Sequence, residues 1–313
     1  MRQELYDSKS RVAILLCTFQ AEKFLEDQLN SIGRQTHGEW RLFVSDDGST
    51  DATINIVRNF ASKFPNCVEV RKGPGAGVPA LNFLSLVCDQ SLDFDYFAFC
   101  DQDDIWLPHK IERAITLLQP CGAGKVAAYG GRTVLVNTEG KPYGHSPLFD
   151  KRPSFQNALV QSIAGGNTIV FNRATRNLLA SVPDAEPVSH DWWVYQLVTG
   201  AGGRFIYDPL PTVLYRQHDN NIIGANMGWS ARLARGRMAL NGRFRTWREQ
   251  NVVALSQAEP FLSIEAKATL ATFLGVDSKR WTDRLASVYR SRVYRQTRAG
   301  EWSLYAGALL KCI

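Results

Sequence analysis

Three carboxylates fall within four residues, Asp101, Asp103 and Asp104, directly behind the apolar run Phe97-Ala98-Phe99-Cys100. With Asp93-Phe94-Asp95-Tyr96 leading into it, the run reads as a short buried strand that emerges at the acids. Carboxylates crowded in this way repel one another, and a hard divalent cation relieves that repulsion. On extended backbone, residues two apart point to one side, so Asp101 and Asp103 could grip Mg2+ or Mn2+ and leave positions open for phosphate oxygens. The same residues also fit a solvated loop in which Asp104 caps a helix beginning around Ile105-Trp106-Leu107-Pro108.

A second acidic turn, Ser45-Asp46-Asp47-Gly48-Ser49-Thr50-Asp51, follows the strand-like residues 40–44. A carboxylate at Asp46 can accept the imide N–H of uracil or thymine, and Gly48 lets backbone approach a ligand. An Asx turn capping the next helix uses the same chemistry. That structural role is expected for Asp47, Ser49 and Asp51, while Asp46 fits either.

Both turns need elements to hold them. Residues 11–18 form a continuous apolar run, as in parallel strands buried on both faces. Phe24, Leu25, Leu29 and Ile32 recur with helical periodicity, and residues 52–64 read as a second amphipathic helix. Residues 68–70 make a short strand, and a third helix around residues 80–88 follows the glycine-rich Lys72–Gly77 turn. Strands alternating with helices predict an α/β fold, an open, mainly parallel sheet flanked by helices. Ligands bind outside the carboxyl ends of such strands. Thr18-Phe19-Gln20, Asp46-Asp47-Gly48-Ser49 and Asp101-Gln102-Asp103 would therefore line one crevice. Further on, residues 126–136 and 162–171 are expected as strands around a polar excursion at 142–153. Asp191-Trp192-Trp193 is expected on a helix, and residues 204–208 and 213–218 as strands.

Cys17-Thr18-Phe19 with Glu22, the Ser45–Asp51 turn and Asp101-Gln102-Asp103-Asp104 together resemble the successive motifs of family 2 glycosyltransferases. The likeness is ordered and runs from about Arg11 to Gly224. Ser189-His190-Asp191-Trp192-Trp193 and the segment from Leu214 to Gly224 resemble a bacterial rhamnosyltransferase-like branch, which Gln28, Gln35-Thr36 and Asn82-Phe83 also fit. The resemblance implies a GT-A (nucleotide-diphospho-sugar transferase) fold, a nucleotide-sugar donor, a divalent metal and an inverting mechanism. It implies that Thr18, Glu22 and Asp46 hold the nucleoside and that Asp101 and Asp103 are the metal-diphosphate aspartates. It makes Asp191 the catalytic base and brings His218, with Arg216, to the diphosphate or metal from the far side. Gly165, Gly166 and Asn167 would line the sugar and acceptor pocket, with Trp192 and Trp193 as core, pocket wall or sugar-stacking groups. Two departures touch donor or acceptor contacts: His190 stands where many members have a carboxylate, and Asp219 where a glycine is common.

The chain has 313 residues, 45% of them hydrophobic, enough for a full core in one large or two modest domains. The expected division is a catalytic domain over residues 1–225 and a basic helical extension over 226–313. No apolar run reaches membrane-spanning length, and Met1-Arg2-Gln3-Glu4 carries no signal-peptide pattern, so a cytoplasmic chain is expected. Six cysteines show neither CxxC pairing nor metal-ligand spacing with the five histidines, and read as reduced thiols. From Gly228 onward 15 Lys/Arg stand against 6 Asp/Glu, although the whole chain carries only +6. Trp229, Leu233, Leu240, Phe244 and Trp247 form one stripe there, flanked by Arg232, Arg235, Arg243, Arg245 and Arg248. That pattern suits a helix lying on an anionic membrane surface, where a lipid-linked glycan acceptor would be found, or an extension packed on the catalytic domain. A nucleic-acid partner would leave the acidic crevice unexplained. A glycoside hydrolase needs no strand-end Asp46, and a Rossmann dehydrogenase would show GxGxxG after the first strand. A nucleotide-sugar-binding module without catalysis, or a transferase using a UDP-hexose, remain the competing readings to L-rhamnosyl transfer from dTDP-rhamnose.

Overall fold

The computed structural model describes residues 10–218 and 242–313. The first strand, β1 (Val12–Thr18), is buried along its whole length, and its side chains alternate between two cores. Ala13, Leu15 and Cys17 face one side with Phe43, Phe83, Phe97 and Phe99, while Val12, Ile14 and Leu16 face the other with Leu25, Leu29 and Val57. A strand with helices on both faces has no polar side to show, which is why it reads as an unbroken apolar run.

Seven strands make the main sheet: β1, β2 (Trp40–Asp46), β3 (Val68–Lys72), β4 (Tyr96–Cys100), β6 (Ala127–Gly131), β9 (Val170–Asn172) and β10 (Arg204–Asp208). Their order is β10-β6-β9-β4-β1-β2-β3, parallel except at β9, which runs antiparallel to both neighbours. Helices α1 (Leu25–Gly33), α2 (Thr53–Lys63) and α4 (Lys110–Leu118) serve one core; α3 (Pro79–Cys88), α6 (Arg173–Ala180) and α7 (His190–Gly200) serve the other. The short α5 (Phe155–Ala158) packs beside α7. A small second sheet, β5-β11-β7-β8, joins β5 (Ile105–Trp106), β7 (Val134–Val136), β8 (Pro142–His145) and β11 (Val213–Arg216).

Two local expectations are corrected. Ile105-Trp106 pairs with β11 as a strand and α4 begins only at Lys110, so Asp104 caps no helix; it is fully buried. Residues 162–171 do not form one strand, because Gly165-Gly166 introduces a helical turn, Gly166–Thr168, and only Val170–Asn172 pairs in the sheet.

Among the described residues of the basic extension four α-helices follow: α8 (Arg243–Gln257), α9 (Ile264–Phe273), α10 (Trp281–Ser291) and α11 (Arg298–Leu310). Ala254, Leu255, Leu262, Phe273, Val288 and Leu304 belong to the same apolar core as Trp193 and Phe205. Arg248 is not a surface flank: it is buried and makes a two-pronged ion pair with Asp277, at 2.7 and 2.8 Å. Trp247 meets Trp192 edge-on, with ring centres 6.4 Å apart. Asp219, the expected boundary at 225/226, Trp229, Arg232, Leu233, Arg235 and Leu240 lie outside the described residues. Among the described residues no helix is long and apolar enough to cross a membrane.

Candidate active site

Parallel pairing sets the carboxyl ends of β2, β1 and β4 side by side, with Thr18 directly opposite Asp46. One Asp46 oxygen accepts the hydroxyls of Thr18 (2.8 Å) and Ser49 (2.6 Å), and the other the Ser49 amide (2.8 Å). The carboxylate is thus buried and held rigidly at the crevice edge. Asp47 accepts the amides of Gly75 (2.6 Å) and Gly77 (2.9 Å), which folds the glycine-rich turn over β2. Both glycines have positive φ, a backbone state that disfavours other residues. Glu22 is exposed, and its carboxylate accepts the Ala52 amide at 3.1 Å, at the start of α2.

The acidic segment behind β4 bends rather than running extended. Its three carboxylates separate in role. Asp104, fully buried, accepts the Asn167 side-chain amide at 2.6 Å and the Arg216 backbone N–H at 3.0 Å. Burial pushes its carboxyl up, and those two hydrogen bonds pull it back towards the charged form. Asp103 lies 2.8 Å from Nε2 of His218, whose ring stacks on Phe24. Asp101 is pushed up to about 8, first by burial and then by the Asp103 and Asp191 carboxylates. Asp191, in the first turn of α7, is thus near enough for its charge to be felt at Asp101.

Among the described residues one ammonium is buried under this cluster. Lys110 sits with Nζ 3.7 Å from the centre of the Trp106 ring, without a hydrogen-bond partner, and burial pulls it down to about 7. A cluster so rich in carboxylates, with a carboxyl displaced to about 8, suits a hard cation. Asp103, His218 and Asp101 are the side chains that would hold Mg2+ or Mn2+, with remaining positions for phosphate oxygens and water. Among the described residues no three His, Cys, Asp or Glu side chains are placed closely enough to hold a metal ion as they stand.

Arg216 is buried beneath the acids rather than open to the crevice. Its guanidinium bonds Asp27 (2.8 Å), the Asp103 carbonyl (3.0 Å) and the Thr138 carbonyl, and lies over the Phe24 ring. Gly166 and Asn167 reach the site from the turn before β9. Trp193 is fully buried, and the Trp192 indole donates to the Ala158 carbonyl at 2.6 Å, so both form the floor behind α7.

Gln102, Gln28, Asn82 and His190, singled out in the sequence without these contacts, support the site. The Gln102 amide clamps the Phe19 backbone, accepting its N–H at 2.8 Å and donating to its carbonyl at 3.1 Å. Gln28 donates to the Cys100 sulfur at 3.0 Å, and Asn82 bonds Ser45 at the end of β2. His190 stacks on Phe83 (4.0 Å) and stands edge-on to Phe99 (4.7 Å), and its Nε2 is buried without a hydrogen-bond partner. A helix-start histidine beside a carboxylate is the only local signal for it.

An open, mostly parallel sheet flanked by helices, with polar and acidic turns at its strand ends, is the architecture of a GT-A glycosyltransferase, which uses a nucleotide-sugar donor. Residues 13–179 match the profile described as Glycosyl transferase family 2, and the chain belongs to that family. It is 32% identical over 260 residues to the dTDP-rhamnosyl transferase RfbG of Shigella flexneri, covering 78% of this chain and 84% of that one. Within the family it is rhamnosyltransferase-like. The fold is also similar to that of Staphylococcus aureus TarS residues 1–349 in complex with UDP-GlcNAc, with a TM-score of 0.55 and 14% identity over 96% of this chain and 91% of that chain. Mannosyltransferase PcManGT from Pyrobaculum calidifontis, in complex with GDP-Man and Mn2+, gives a TM-score of 0.53 and 18% identity over 98% and 88%.

Proposed function

We propose that this chain is an inverting, metal-dependent transferase that moves L-rhamnose from dTDP-rhamnose to a hydroxyl of a surface-polysaccharide or lipid-linked glycan acceptor. The observation that carries the reading is the nearness of Asp191, in the first turn of α7, to the acids behind β4: after burial and Asp103, its charge is among those that raise the Asp101 carboxyl. RfbG supports the donor, and PcManGT in complex with Mn2+ supports the cation.

In this reading Thr18, Asp46 and Glu22 bound the nucleoside end of the crevice. Asp103, Asp101 and His218 hold the cation, which when bound supplies a Lewis acid for the diphosphate oxygens. Arg216 fixes the backbone of Asp103 from below and so sets where that carboxylate points. Asp191, on the far side, takes the proton from the attacking acceptor hydroxyl. A single displacement with base and leaving group on opposite faces inverts the anomeric centre. Gly166 and Asn167 bound the sugar and acceptor side, with Trp192 and Trp193 packed behind it. The extension supports that side through Trp247 against Trp192 and through Asn251, which accepts the Val188 amide at 3.1 Å just before α7. Attachment to the inner face of the cytoplasmic membrane would place the crevice near a lipid-linked acceptor.

The test is transfer from dTDP-L-rhamnose, UDP-glucose and UDP-N-acetylglucosamine to a diphospholipid-linked glycan, with the product's anomeric configuration read by NMR. Rhamnosyl transfer with inversion is expected. Transfer only from a UDP-hexose would overturn the donor, retention the mechanism, and donor binding without transfer from any sugar the enzymatic reading.

A further inference from the structure

Helix α11 turns an apolar face to solvent. At 100° per residue, Arg298, Ala299, Trp302, Ala306, Leu309 and Leu310 fall within an arc of about 120°, and all six are exposed. Trp302 is 78% and Leu310 61% exposed, values that a soluble surface rarely gives to neighbouring large apolar side chains. The buried stripe of the same helix, Leu304 and Ala308, is already used in the core.

The rim of this face is cationic, and one residue explains why. Arg284, buried on α10, donates to the carbonyls of Ala308 (2.6 Å) and Leu309 (2.7 Å) at the end of α11. It also donates to the carbonyls of Ser278 and Lys279, both at 3.0 Å, ahead of α10. These four bonds pull Lys279-Arg280-Trp281 and Leu309-Leu310-Lys311 to one corner of the molecule. Lys279, Arg280, Lys311 and Arg298 are all exposed, and among the described residues none of them is in an ion pair. The acids near them are occupied: Asp283 accepts from Ser278, Asp277 holds Arg248, and Glu301 holds Lys151. Trp281 adds a second exposed indole at the corner.

We propose that this corner, the exposed face of α11 with its Lys279, Arg280, Arg298 and Lys311 rim, docks on an anionic phospholipid surface. Exposed indoles and leucines suit the headgroup boundary, and unpaired cations beside them suit anionic lipid. A second protein copy would bring four like charges against four, whereas an anionic bilayer complements them. The surface deepens the reading of a lipid-linked acceptor given above, because it belongs to the extension that also braces the acceptor side of the crevice.

The test is flotation with vesicles of phosphatidylcholine alone and of phosphatidylcholine with about 30 mol % phosphatidylglycerol, which models an anionic leaflet. The wild-type chain is expected to float with the anionic vesicles only. Replacing Lys279, Arg280 and Lys311 together by Gln should weaken that binding about 100-fold, and Trp302→Ser about 10-fold. All four sites are exposed, and an unchanged melting temperature identifies variants that remain folded. Absence of vesicle binding, or binding that the triple variant retains, overturns the proposal. So does a light-scattering dimer that Trp302→Ser dissolves while vesicles bind neither protein. Transfer to a water-soluble glycan acceptor separates the two readings: unchanged transfer without vesicle binding sinks the surface alone, and vesicle binding through this face without any transfer sinks the enzymatic reading alone.

Discussion

Nε2 of His218 lies 2.8 Å from a carboxylate oxygen of Asp103, and its ring is stacked on Phe24 with centres 5.1 Å apart. The histidine comes from the end of β11 in the small sheet, and the aspartate from the loop behind β4 in the large one. Removing Asp103 should therefore remove cation binding, while removing His218 should weaken it. Asp103→Asn is expected to abolish the stabilisation that Mn2+ and a nucleoside diphosphate give together. His218→Ala should raise the Mn2+ concentration needed for half-maximal stabilisation about 10- to 100-fold. Thermal-shift titration reads both; equal Mn2+ dependence in wild type and Asp103→Asn would contradict the metal assignment.

Asp191, in the first turn of α7, is close enough to Asp101 for its charge to help raise that carboxyl, after burial and Asp103. Asp191→Asn should lower kcat by about 10²- to 10⁴-fold, the usual worth of a general base, and leave the donor dissociation constant within a factor of a few. Calorimetric donor titration beside steady-state kinetics separates these. A large loss of donor affinity with modest loss of kcat would make Asp191 a binding residue instead.

Gly166 and His190 are in contact so close that a Cβ on Gly166 would lie 2.3 Å from Nε2 of the imidazole. The ring cannot easily yield, being held between Phe83 and Phe99. Gly166→Ala should cost about 1–3 kcal/mol of stability by overpacking and, by displacing the residue before Asp191, lower kcat more than it changes KM. Urea unfolding and kinetics of the same variant check the pair of effects; a fully stable, fully active variant would show that the turn moves freely.

Burial holds His190 down at about 4, against the pull of Asp191. The folded chain thus refuses a proton that the unfolded chain accepts near pH 6.5. Stability from this group is complete above about pH 6.5 and is lost as pH falls towards 4, by about 3 kcal/mol at most. His190→Asn should flatten that acid limb. Unfolding free energies of both proteins at pH 7 and 4.5 measure the difference, and parallel losses would exclude His190 as the cause.

The main sheet was legible because burial on both faces forces the uninterrupted apolar runs seen at residues 12–16 and 97–100. The crevice was legible because its acids stand at the ends of those runs. Of the small sheet, β7 and β11 fell within runs expected as strands, but β5 was not legible, since Ile105-Trp106 is two residues long and carries no periodicity. Residues 162–171 misled because Ile163, Ala164 and Ile169–Phe171 are all buried, although Gly165-Gly166 turns the chain between them. Arg248 sits on the polar flank of a helical wheel, yet its partner Asp277 is 29 residues away, beyond any local pattern. The Gln102 clamp on Phe19 spans 83 residues and leaves no local trace either. Side chains whose role is to tie distant loops together are visible only once the loops are placed.

The most direct test of nucleotide-sugar transfer at this site is a thermal-shift panel of dTDP- and UDP-sugars, with and without Mn2+, on wild type and Asp103→Ala. Metal-dependent stabilisation by dTDP-rhamnose that the variant loses is the expected result. Stabilisation by no nucleotide sugar, or equal stabilisation of both proteins, would contradict it.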